Sequence, residues 1–222
     1  MPGSPFDAPC VLLTGFEPFG GESINPSQEI VRALDGATVA GHRVVGRVLP
    51  VSFAATLPML EELVERHRPA VVIALGQAGG RSEISLERIA VNLVDARIAD
   101  NDGLQPIDQP VVAGAPSAYF TSLPSKAIVA RLRERGIPAG ASLSAGSFVC
   151  NQVFFAIAHL VATRLPQARG GFVHVPWLPQ QAVRHPGQPS MALATMIEGV
   201  CAAIECAIVL RDDLETSGGA TH

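Results

Sequence analysis

The chain has 222 residues, 48% hydrophobic and 16% charged, with a formal net charge of -4. That excludes a disordered chain, which would be richer in charge and poorer in apolar residues. It also disfavours a phosphate-driven nucleic-acid binder, because acids outnumber bases 20 to 16 and no run of Lys and Arg occurs.

The longest apolar stretch, residues 191–210, carries Glu198 and Glu205 and is a poor membrane span. The opening MPGSPFDAP has neither the basic nor the apolar region of an export signal. A cytoplasmic chain forming one domain over 1–222 is expected, with 1–9 disordered or loosely attached and 212–222 a flexible tail. No partner membrane or nucleic acid is expected.

In chain order, residues 10–14 (CVLLT) read as a buried strand ended by Gly15. Asn25-Pro26 supplies an N-cap and a first-turn proline for a helix through SQEIVRAL. A strand is predicted over 42–49. A helix follows over 53–67, in which Pro58 either kinks the helix or marks its true start. Residues 70–76 (AVVIALG) form the clearest buried strand, followed by the glycine-rich QAGGR.

Residues 84–95 alternate well enough for one long strand or ribbon. The stretch 97–124, rich in Pro, Gly, Asp and Asn, is long for a connection inside a compact domain, so a lid or a subunit contact is expected there. Helices are predicted over 125–135, 149–165 and 190–210, with a strand at 171–175 stopped by Pro176. Apolar strands alternating with helices point to an α/β fold, a three-layer α/β/α sandwich with a mostly parallel, mixed central sheet. Ligands bind such sheets at the carboxyl ends of the strands.

The four cysteines, Cys10, Cys150, Cys201 and Cys206, form no C-x-x-C pair and have no histidine at metal-ligand spacing. Cys10, Cys201 and Cys206 fall inside apolar elements and read as core residues. Cys150, in AGSFVCNQVFF, falls at a predicted helix N-terminus, where free N–H groups and the helix dipole are expected to lower a thiol pKa. Position alone leaves it equally a nucleophile or a buried filler.

Six histidines compete as its base. His42, His67, His185 and His222 flank elements or sit in loops, where solvated side chains are expected, and His159 falls within a helix. His174 ends the GFVHV strand, where an α/β fold places functional groups. Glu87 is an acid amid apolar alternation and needs a partner. From spacing alone an ion pair with Arg88 accounts for it. GQAGGR matches neither nucleotide-binding glycine pattern, so its phosphate signal is weak. Gln77 within it could offer an amide to a ligand. Phe16 and Phe19, two aromatics in one glycine-rich loop, suggest the wall of a small apolar pocket.

Taken together, TGFEPFGGESINPS, RVLPVSF, GQAGGRSEISLERIAVNLVDARIADNDG, AGSFVCNQVFF and GFVHVPWLPQQ resemble the pyrrolidone-carboxylate peptidase (type I pyroglutamyl peptidase) family, in its order and over nearly the whole chain. The resemblance implies a cysteine peptidase that releases an N-terminal pyroglutamyl residue from peptides through a thioester, with no metal or organic cofactor. It places the nucleophile on Cys150, the base on His174 and the acid on Glu87. It also puts the apolar pocket on Phe16, Phe19, Val51, Ile98, Phe148 and Val149, a lactam contact on Gln77 and an oxyanion contact on Arg97.

Family members are often homotetramers, so a homotetramer is expected, or else a dimer. Phe148-Val149 stands where many relatives have Tyr-Leu, and Trp177 where tyrosine is common. A phosphorylase-like enzyme using GQAGGR as an anion loop, and a non-catalytic pyroglutamyl-peptide binder, are the alternatives. The first leaves Cys150, His174 and Glu87 without a task, and the second is at odds with an intact set of all three.

Overall fold

Alternation along the strands builds two cores, one on each face of a sheet. The computed structural model describes residues 9–217. In chain order the elements are β1 (Cys10–Phe16), α1 (Pro26–Leu34), β2 (Thr38–Val39), β3 (His42–Leu49), α2 (Thr56–His67), β4 (Val71–Gln77), β5 (Ile84–Glu87) and β6 (Ile89–Val91). They continue with β7 (Ala118–Phe120), α3 (Ser125–Glu134), β8 (Ala139–Ser142), α4 (Val149–Thr163), β9 (Arg169–Val175), α5 (Pro179–Ala182) and α6 (Leu193–Val209).

Seven strands form one sheet in the order β2-β3-β1-β4-β9-β5-β8, and β6 pairs with β7 in a separate ribbon. Neighbours β3, β1, β4 and β9 are parallel, as are β5 and β8, whereas β5 meets β9 antiparallel. This is the mostly parallel, mixed sheet of the expected α/β/α sandwich. Val11 and Leu13 of β1 join Ile73, Leu75, Val173 and Val175 in a core covered by α1, α3 and α6. Leu12 and Phe16 join Val72, Ala74 and Phe172 in the opposite core, covered by α2 and α4. Successive strand residues project to opposite faces, so each core takes alternate side chains of the same strands.

Local signals act as the sequence predicts at two helix starts. Asn25 caps α1, its side chain accepting a hydrogen bond from Ser27 N–H at 3.0 Å. Pro58 lies in the first turn of α2, where its missing N–H costs nothing, so it marks the start and makes no kink.

One prediction is corrected: 84–95 is not a single strand. The chain leaves the main sheet after Glu87, and Ile89–Val91 pairs with Ala118–Phe120 instead. β6 is held in part by Asn151 of α4, whose amide accepts from Val91 N–H and donates to the Val91 and Leu93 carbonyls.

The 97–124 stretch is also tied down. Buried Asp100 accepts from the N–H groups of Phe53, Asp102 and Leu104, joining this segment to the loop after β3. Of the expected tail, Asp213 accepts hydrogen bonds from the first-turn N–H groups of Lys126 and Ala127 in α3. Residues 1–8 and 218–222, with His222 among them, lie outside the described residues. Among the described residues no helix is long and apolar enough to cross a membrane.

Candidate active site

Antiparallel pairing of β5 with β9 brings the carboxyl end of one to the body of the other. Ser85 faces His174 and Glu87 faces Phe172 in this register, so Glu87 is the diagonal neighbour of His174 on one face. The His174 Nδ1 and Glu87 Oε1 atoms are 2.7 Å apart, with Glu87 1% and His174 4% exposed. Arg81, at the end of the GQAGGR loop, donates to the same oxygen from Nη1 at 2.7 Å.

The simpler expectation of an ion pair with Arg88 therefore gives way to Arg81 and His174. Arg88 follows Glu87 directly, so in extended chain it projects to the other face. It lines a separate surface hollow with Ser122 and Asp213.

Cys150 is the second residue of α4. Its sulfur lies over Gly76, where an added Cβ would stand 3.0 Å from Cys150 Sγ and 2.7 Å from Phe172 Cζ. Gly76 is paired across β4 and β9 with His174, and residues so paired project to the same face. Thiol, imidazole and carboxylate thus converge at the carboxyl ends of β4 and β9.

A methyl group at position 76 would displace the Phe172 ring, the sulfur, or both. Gly76→Ala is therefore expected to leave a folded protein destabilised by about 1–3 kcal/mol. Its turnover should fall on the order of 100-fold through misplacement of the sulfur. Thermal unfolding alongside steady-state kinetics checks this, and a variant with unchanged kinetics would contradict the close approach.

Electrostatics revise one expectation. Burial pushes the Cys150 thiol up to about 12, the Glu87 charge adds to the rise, and Arg81 and the helix N–H offset only part of it. The helix terminus does act in the expected direction, but desolvation between Phe172 and α4 outweighs it. Burial likewise lowers His174, against the hydrogen bond and charge of Glu87.

For Glu87, burial alone would raise the pKa. Hydrogen bonds from His174 and Arg81, with the His174 charge and the nearby Ser142 hydroxyl, together hold it below the ordinary carboxylate range. The resting state is thus a neutral thiol, a neutral imidazole and a carboxylate. With the carboxylate as acceptor, Nδ1 carries the imidazole proton and Nε2 keeps its lone pair.

With burial raising the thiol, Cys150 is expected to keep its proton at neutral pH in the free protein. The ultraviolet thiolate absorbance of the wild type minus that of Cys150→Ala should stay flat from mildly acidic to mildly alkaline pH. A step at or below neutrality would contradict a raised thiol pKa.

In front of the sulfur is a narrow recess lined by Phe16, Phe19, Asn25, Val51, Gln77, Phe148, Val149 and Cys150. Phe19 and Phe148 face each other with ring centroids 6.3 Å apart, and Phe53 backs Phe148 edge-on at 5.1 Å. Glu17, between the two wall phenylalanines, accepts from Val51 N–H at 3.1 Å and from Asn101 Nδ2 at 2.8 Å. That bolts the loops after β1 and β3 to the 97–124 segment.

Of the residues predicted for the pocket, Phe16, Phe19, Val51, Gln77, Phe148 and Val149 are brought together. Arg97 and Ile98 are exposed and do not line this cavity. Asn25, Phe53, Arg81 and Phe172 were not foreseen as site residues. Asn25 carried only its capping signal, and Arg81 only the weak glycine-loop signal.

Two further histidines are engaged elsewhere. His159 meets Tyr119 Oη at 2.9 Å, and His185, expected to be solvated, stacks on Trp177 with centroids 4.0 Å apart.

A sulfur at a helix start, an imidazole on a strand end, a buried carboxylate behind it and a small apolar recess in front make the arrangement of a cysteine hydrolase. Comparison with known proteins agrees. The pyroglutamyl peptidase family model matches residues 10–210. The chain is 53% identical to pyrrolidone-carboxylate peptidase 1 of Ralstonia nicotianae over 214 residues, 96% of this chain and 100% of that one. It is 48% identical to the pyrrolidone-carboxylate peptidase of Bacillus cereus over 212 residues, 96% and 99% of the two chains.

Among solved structures it superposes on pyroglutamyl peptidase I of Bacillus amyloliquefaciens with a TM-score of 0.90 at 42% identity, covering 93% of this chain and all of that one. Pyrrolidone carboxyl peptidase of Thermococcus litoralis gives 0.91 at 42% identity, covering 94% and 99%. The chain belongs to the pyroglutamyl peptidase family and is a cysteine peptidase, a hydrolase.

Proposed function

We propose that this chain, acting as one domain over 1–222, hydrolyses the amide bond after an N-terminal pyroglutamyl residue and releases free pyroglutamate. The observation that carries this reading is the opening of Cys150 directly into the cavity walled by Phe16, Phe19 and Phe148, with Gln77 beside it. As the sulfur attacks the pyroglutamyl carbonyl, its proton passes to the Nε2 lone pair of His174. Buried Glu87 then stabilises the imidazolium that forms.

The Cys150 N–H, in the first turn of α4 with no carbonyl four residues back to bind, supplies one oxyanion donor. Arg97 enters by the family resemblance as a second donor: it is exposed, and its side chain makes no hydrogen bond among the described residues. Ile98, beside it, is assigned by the same resemblance to the outer wall of the pocket. His174 next protonates the leaving amine, freeing the shortened peptide. Water, deprotonated by His174, then cleaves the thioester.

Selectivity follows from desolvation. An ordinary N-terminal ammonium would enter an aromatic recess with no carboxylate among its lining residues, at a cost of several kcal/mol. The neutral lactam enters without that cost, and its carbonyl and N–H offer hydrogen bonds that a prolyl ring cannot match. A pyroglutamyl amide should therefore exceed the matching prolyl amide in kcat/KM by at least about 10⁴. Comparable cleavage of the two amides would sink this assignment.

Four free cysteines support a reducing, cytoplasmic setting. We further assign a homotetramer, with a dimer as the smaller alternative. Exposed Ile107, Phe120 and Val183 are apolar surface that association could cover. Sedimentation gives the subunit number, and a monomer at micromolar concentration would contradict it.

A further inference from the structure

We propose that Gln181 sets the hydrogen-bond polarity of the substrate pocket, fixing the Gln77 amide so that its NH₂ group faces the substrate and reads the lactam carbonyl. This rests on the pyroglutamyl reading above and names which atom of the ring is recognised. Gln181 is fully buried in the short helix α5, with 0% exposure. Its Oε1 accepts from Leu178 N–H at 3.1 Å. Its Nε2 faces Glu22 Oε2 at 3.2 Å, the Ile24 carbonyl at 3.2 Å and Gln77 Oε1 at 2.8 Å.

A main-chain N–H can only donate, and a carbonyl or carboxylate can only accept. Rotating the Gln181 amide by half a turn would set oxygen against two acceptors and NH₂ against a donor. The orientation of Gln181 is therefore determined by its surroundings. Glu22 is itself kept ionised: burial would raise it, but hydrogen bonds from His185 and Gln181, with the Arg184 and His185 charges, outweigh that. His185 Nε2 lies 3.2 Å from Glu22 Oε1 and its ring is stacked on Trp177, so the anchor reaches back to the segment after β9.

With the donor of Gln181 fixed, Gln77 must turn its own oxygen toward it. The Gln77 NH₂ group then has no partner among the described residues, and Gln77 lines the cavity beside Cys150. The other amide at the cavity, Asn25, is held at both ends, with its oxygen filled and one of its two N–H donors engaged. Asn25 Oδ1 accepts from Ser27 N–H and Oγ, and its Nδ2 donates to the Glu17 carbonyl at 3.0 Å. Among the described residues Gln77 is thus the side-chain amide of the recess with both N–H donors uncommitted, and it demands an acceptor. The lactam carbonyl of pyroglutamate is that acceptor, and it is the group that proline lacks.

Gln181 is a positioning residue, so its test separates orientation from general damage. Gln181→Met removes the donor while keeping length and apolar bulk. Wild type and variant are assayed on a pyroglutamyl amide and on its ring-oxygen analogue, a lactone that keeps the carbonyl but has no N–H. The rate at which iodoacetamide alkylates Cys150 is followed in parallel.

The expected result is a loss of about tenfold or more in kcat/KM, mainly through KM, equal for both substrates. Alkylation should be unchanged. Wild-type kinetics in the variant, a loss confined to the lactam, or a parallel fall in alkylation would each overturn the proposal. If Gln181→Met does not fold, Gln77→Leu is read by the same criteria. A wild type that cleaves no pyroglutamyl amide would instead overturn the functional reading itself.

Discussion

Cys150→Ala is expected to abolish turnover of a pyroglutamyl amide, lowering kcat by about 10⁴-fold or more, while leaving the fold and the substrate pocket intact. Removing a nucleophile that works with a base typically costs that much or more, because the remaining groups have nothing to activate. Among the described residues the sulfur's hydrogen bonding is confined to its own main-chain N–H, so its loss leaves no buried polar side chain unpaired. The walls made by Phe16, Phe19 and Phe148 do not depend on it.

The variant should therefore still bind a pyroglutamyl peptide in a calorimetric titration. Turnover within tenfold of wild type would show that another group performs the attack. Loss of binding together with turnover would instead mean that the cavity had collapsed.

Glu87→Gln carries the second-largest effect, a fall in kcat of about 10²- to 10⁴-fold. The carboxylate oxygen that accepts from His174 also accepts from Arg81, so it serves two donors at once. A glutamine oxygen can occupy that place, but the negative charge is gone and Arg81 is left uncompensated near the imidazole. Glu87 raises the His174 pKa and Arg81 lowers it, so the substitution makes His174 less basic.

The sign follows directly. His174 must be neutral to accept a proton, and activity is lost as pH falls through its pKa. In the variant that acid limb should move to lower pH while the plateau drops. An acid limb that moves to higher pH, or an unchanged kcat, would contradict a charged Glu87 behind His174.

Much of this site was legible because its residue types violate local pattern. Glu87 interrupts an apolar alternation, His174 ends a buried strand just before Pro176, and Cys150 stands where a helix begins. What the alternation could not supply was the partner. Pairing by proximity in sequence favoured Arg88, but a strand turns consecutive side chains apart, and the true partners arrive from β9 and from the loop after β4. The reversed direction of β5 against β9, which creates the contact, leaves no trace in residue type. The division of 84–95 into β5 and β6 was equally hidden, because both pieces alternate and only the choice of partner strand separates them.

The thiol pKa turns on a second effect that residue pattern does not display. A helix N-terminus stabilises an anion only to the extent that the site is not also dry. Here the Phe172 ring and the α4 core remove more hydration than the first-turn N–H groups return. Gln181 was invisible for the opposite cause: a buried glutamine two residues past a proline carries no pattern, and its role exists only through Glu22, Ile24 and Gln77, distant in sequence.

Release of a fluorophore from a pyroglutamyl amide by the wild-type chain, with free pyroglutamate identified as the second product, tests the central assignment most directly. Robust turnover is expected, with one pyroglutamate per fluorophore released. A folded wild-type protein that produces neither would contradict it.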